Sequence, residues 1–117
     1  MRSAFLALIA AAVPAAGRAP VATAVGKPQS CIPLAQIHRT VVRDDRTIDF
    51  LMTGRRVYRN VLPNGCPSLG SERRFGYATS LGQLCSTDTI TVLFDAPAMH
   101  GPSCGLGSFQ QVTLAVR

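Results

Sequence analysis

From Ile37 onward, hydrophobic and polar residues alternate with a period of two over short stretches, each ending at turn-forming residues. That spacing predicts half-buried strands rather than helices. Ile37 to Arg43 forms the first, and Asp44-Asp45-Arg46 turns it back. Thr47 to Met52 alternates with Ile48, Phe50 and Met52 on one face, and Arg56 to Val61 alternates through Val57 and Val61. With Thr53-Gly54-Arg55 as the turn between them, the two stretches predict a hairpin. Pro63-Asn64-Gly65-Cys66-Pro67 is incompatible with a central strand and reads as a loop pinned by a cysteine. Arg73 to Thr79 predicts a strand around Phe75 and Tyr77, and Thr89 to Asp95 a second with Ile90, Val92 and Phe94 alternating. Pro97, Gly101 and Pro102 mark Ala96 to Ser103 as a surface loop, and Phe109, Val112, Leu114 and Val116 form a last strand. Cys31 to His38 fits either a helical turn or an extended segment. The fold class expected is all-β: an antiparallel sheet, sandwich or small barrel of five to six short strands.

The pattern differs at the start of the chain. Ala4 to Val13 is an unbroken apolar run preceded by Arg2, too short to cross a bilayer of roughly 30 Å as a helix. Followed by Pro14, Gly17 and the small residues of Ala22-Thr23-Ala24, it reads as a secretory signal. The expected organisation is a signal peptide over 1–24, cleaved before Val25, with an earlier cut near Ala16 as the alternative. One disulfide-stabilised domain then covers 25–117, with no transmembrane segment and a periplasmic or secreted location.

Removing that segment leaves ten basic residues against six acidic ones, and all the basic residues except Lys27 are arginine. A domain this small exposes much of its surface, so disulfides contribute a large share of its stability. Cys31, Cys66, Cys85 and Cys104 permit three pairings. The preferred one joins Cys66 with Cys85, clipping the loops on either side of one strand. Cys31 with Cys104 then ties the start of the domain to the base of the last strand.

Cys31, Asp44 to Phe50, Tyr58 to Leu62, Cys66-Pro67-Ser68-Leu69, Leu84 to Asp88 and Cys104 to Phe109 together resemble a family of small secreted proteobacterial domains of unknown function. The resemblance covers nearly the whole chain after the signal. It implies a secreted one-domain protein and supplies no catalytic residue.

The candidate chemistry is sparse. His38 and His100 could join Cys31 and Cys104 in a zinc site, but zinc ligands usually open with a close pair, and an oxidising compartment favours disulfides. Met99-His100 and Met52 give thin support for copper, and Met52 reads as core. No Gly-x-Ser-x-Gly occurs, and Asp44-Asp45 reads as a turn capping its own backbone. Gly105-Leu106-Gly107 lacks the third glycine and helix of a phosphate loop. No cofactor is expected, and export with no aromatic stacking motif argues against nucleic acid.

The arginines offer the one surface hypothesis. Arg55, Arg56 and Arg59 on the hairpin, with Arg73 and Arg74 opening the next strand, could form one basic patch gripping carboxylates or phosphates. The function expected is a non-enzymatic binding or structural module of the cell envelope, with an anionic envelope component or another envelope protein as partner. The alternative is a small secreted inhibitor of a hydrolase, presenting a loop such as Ala96 to Ser103.

Overall fold

The stretch Thr47 to Met52 forms the middle of the main sheet. The computed structural model describes residues 20–79, 81–95 and 99–115. Ten strands are found among them: β1 (Val21–Ala24), β2 (Cys31–Pro33), β3 (Ile37–Val42), β4 (Thr47–Met52), β5 (Val57–Val61), β6 (Phe75–Tyr77), β7 (Gln83–Cys85), β8 (Thr89–Leu93), β9 (His100–Gly105) and β10 (Phe109–Ala115). A 3-10 turn over Leu34–Gln36 precedes β3, and a one-turn helix α1 (Leu69–Glu72) precedes β6. The all-β class holds, and every strand pairing is antiparallel.

The strands form a five-stranded sheet in the order β1-β10-β5-β4-β3, a three-stranded sheet β6-β8-β9 and a two-stranded sheet β2-β7. The count exceeds five to six because β2 and β7 are three residues each, too short to show a period, while β1 lies in the expected signal and β9 in the expected loop. The segment Cys31 to His38 is both things its sequence allowed, strand first and then a 3-10 turn.

One face of the five-stranded sheet packs on the two smaller sheets. Phe50 of β4 meets Phe109 of β10 edge-on at 5.4 Å and Phe75 of β6 at 6.3 Å. Ile32 and Leu84 join this core from the two-stranded sheet, and Ile90 and Val92 from the three-stranded one.

Three sequence expectations are corrected. On β5 the inward residues are Tyr58 and Asn60, whereas Val61 is 48% exposed. A shift of one residue inverts a strand's faces, and the aromatic ring outweighs the two valines for the core position. Part of the expected loop Ala96 to Ser103 is instead strand, because His100 to Ser103 belongs to β9, while 96–98 lie outside the described residues. Pro102 is accommodated because β9 is an edge strand whose register shifts between Thr91 and Leu93, leaving Gly101 and Pro102 in a bulge opposite Val92.

The disulfide pairing is the third. The bridges are Cys31–Cys85 and Cys66–Cys104, not Cys66 with Cys85 and Cys31 with Cys104. Cys31 and Cys85 face each other directly in the β2-β7 ladder with Cα atoms 4.0 Å apart, a pairing invisible until β2 is recognised as a strand. Cys66 then meets Cys104 of β9 with Cα atoms 5.7 Å apart, within the reach of a disulfide.

β1 occupies residues assigned from sequence to the export signal. It pairs through four residues with β10, Val21 opposite Ala115 and Ala24 opposite Val112. The apolar run Ala4 to Val13 and the rest of 1–19 lie outside the described residues, as does Val116.

Candidate functional site

Five of the six acidic side chains hold the chain's own backbone or arginines. Asp44 accepts from the backbone N–H of Arg46 at 2.8 Å, and Asp45 from that of Gly70 at 2.6 Å. Asp88 accepts from the N–H of Cys85 at 2.7 Å, and Asp95 binds Arg74 at 2.7 Å. The reading of Asp44-Asp45 as a capped turn therefore holds, and the same turn also anchors α1. Gly70 is required there, since a Cβ would sit 2.8 Å from the Asp45 carboxylate.

The fifth carboxylate, Asp49, is completely buried on the outward face of β4. Its direct cross-strand neighbour is Arg59 of β5, which donates from Nε at 2.7 Å and from Nη2 at 2.9 Å. Arg43, just past β3, donates from Nε at 2.8 Å. Burial disfavours the charged carboxylate, but the hydrogen bonds and charges of Arg59 and Arg43 outweigh it and hold its pKa below the ordinary value. Asp49 in turn raises the pKa of Arg59.

A second buried polar group, Asn60, clasps the turn before β10. Its side-chain amide donates to the carbonyl of Gly107 at 2.7 Å and accepts from the Gly107 N–H at 2.8 Å. Sequence reading missed both Asp49 and Asn60. The signal lay in the strands themselves, because aspartate and asparagine are disfavoured mid-strand unless a partner compensates them.

The five candidate arginines have different partners in the structure. Arg59 is committed to Asp49, Arg74 to Asp95, and Arg73 donates to the carbonyl of Val42 at 2.9 Å. Arg73 instead lines an open cavity of about 530 Å3 with Arg43 and Arg46 at the β3-β4 turn. Arg59 lines a different hollow beside Ala22, Ala24 and Val112. Arg55 and Arg56 line one cavity together.

These two border a cavity of about 570 Å3 at the β4-β5 hairpin end, whose other walls include Leu51, Val57 and His38. Arg56 donates to the neutral amide oxygen of Gln36 at 2.6 Å, so its charge is left uncompensated by that contact. No acidic residue lines the cavity among the described residues.

The histidines and methionines are dispersed. His38 lies on β3 and His100 on β9, in different sheets, and the cysteines considered with them are bridged. Met52 is core and Met99 is exposed. Among the described residues no helix is long and apolar enough to cross a membrane. Comparison of the chain with protein-family models, with curated proteins and with solved structures finds no match.

Proposed function

We propose that this chain is an exported, disulfide-stapled β module that binds an anionic component of the cell envelope without catalysing a reaction. The observation that carries the reading is the use of its polar groups. Five of six acidic side chains serve to hold turns, α1 and arginines, while Arg55 and Arg56 line one cavity with no carboxylate among its described residues. Guanidinium groups presented this way suit carboxylate or phosphate recognition. Two disulfides fit an oxidising compartment. On this reading the chain is one of the small secreted domains it resembles, and its export signal ends upstream of Val21, near Ala16. A cut before Val25 would remove β1 from the sheet.

The test is fractionation of cells expressing the chain, then binding of the purified oxidised protein to envelope fractions at two salt concentrations. Recovery outside the cytoplasm with no alkylatable thiol, and salt-sensitive binding lost in the R55E/R56E double variant, support the reading. Cytoplasmic recovery with four free thiols, or binding unaffected by the double variant, overturns it.

A further inference from the structure

Resting on that binding-module reading, we infer that the cavity at the β4-β5 hairpin end is a site for a small amphiphilic anion, an apolar body carrying one carboxylate or phosphate head. Three independent features converge there. The first is composition: Leu51 and Val57, paired across the two strands, give an apolar wall, while Arg55 and Arg56 give a cationic rim. A volume of about 570 Å3 lies within the range of small-molecule sites, roughly 300 to 1,000 Å3.

The second is a break in β3. The ladder with β4 runs without interruption from Val42 to Arg39, then shifts register before Ile37, so that His38 is unpaired at the bulge. Bulges re-aim side chains, and His38 is a lining residue of this cavity. Its ring adds a hydrogen-bonding group to the lining.

The third is backbone strain. Arg55 has φ +65, directly after Gly54 at φ +77, in the left-handed region where glycine or asparagine is normally found. Ser68 and Arg73 also have positive φ, but Ser68 opens α1, where its carbonyl accepts from the Glu72 N–H and the Ser71 hydroxyl, and the Arg73 guanidinium holds the Val42 carbonyl. Among the described residues no such bond accounts for Arg55, which is exposed at the cavity mouth. The turn holds Arg55 at the cavity mouth with its guanidinium unengaged among the described residues, where it is available to a ligand's anionic head.

Arg55→Gly separates binding from folding, because glycine adopts this conformation without strain. The full oxidised chain is titrated with dodecanoate, dodecyl phosphate, the neutral dodecyl maltoside and inorganic phosphate, all below micelle formation, while methyl resonances are followed by NMR. Both anionic amphiphiles should shift the Leu51 and Val57 methyls. Arg55→Gly should weaken them about tenfold, the loss of one charge-assisted hydrogen bond, while raising the urea midpoint. The head group that binds more tightly identifies the source as a free carboxylate or a phosphate lipid. Equal binding of the maltoside, equal binding of inorganic phosphate, or shifts confined to the Ala22 and Val112 side overturns the site. Should these probes fail while R55E/R56E still abolishes envelope binding, the cavity falls and the module reading stands.

Discussion

Replacing Asp49 tests the outer face of the main sheet most severely. Its carboxylate has no solvent exposure and receives three guanidinium hydrogen bonds of 2.7 to 2.9 Å, while the Arg43 and Arg59 side chains are 20% and 18% exposed. Removing one member of a buried ion pair costs about 3 to 5 kcal/mol, because the remaining charges are stranded. The two arginines can partly turn to water, so the lower end applies, about 3 kcal/mol for Asp49→Asn. Against a total stability of about 5 to 15 kcal/mol this is a large fraction. Urea unfolding at pH 7 reads it directly. Replacing the whole triad, D49L with R43M and R59M, should be close to neutral, since apolar residues of similar volume need no desolvation.

The pH dependence has a defined sign. The folded-state pKa of Asp49 lies below its unfolded value, so the unfolded chain binds more protons in the interval between the two. The stabilisation is therefore complete above the unfolded value of about 3.9 and disappears as pH falls through the folded value. Wild type should lose stability below about pH 4, and Asp49→Asn should lose correspondingly less over the same range. An Asp49→Asn variant within 1 kcal/mol of wild type with an unchanged acid limb would refute the account of this ion pair.

Peptide mapping without reduction should recover Cys31 linked to Cys85 and Cys66 to Cys104. With loops of 54 and 38 residues, the C31S/C85S and C66S/C104S variants should each lose about 4 kcal/mol on a chain-entropy basis. Asn60→Leu leaves both Gly107 backbone groups unpaired and should cost about 2 to 3 kcal/mol in urea unfolding; a loss under 1 kcal/mol would show that water replaces the amide. Sequencing of the exported chain should give an N-terminus upstream of Val21. A chain starting at Val25 should melt lower, because β10 loses its neighbour along Val112 to Ala115.

Alternation over Ile37 to Val61 and its turn residues are local properties, so the all-β class and the β3-β4-β5 meander are legible along the chain alone. The sequence also revealed an even set of cysteines. Partners distant along the chain were decided only in three dimensions. Whether Val57 and Val61 or Tyr58 and Asn60 faced inward depended on Phe109 and Gly107, about fifty residues away, and a period of two fits either choice. Cys31 found Cys85 through a three-residue strand too short to leave a pattern. The five arginines shared a charge in sequence, but only packing showed which of them Asp49, Asp95 and the Val42 carbonyl had already engaged. Arg55 and Arg56 stay paired because they are adjacent in the chain and the hairpin turn presents them together, beside a cavity walled by Leu51 and Val57.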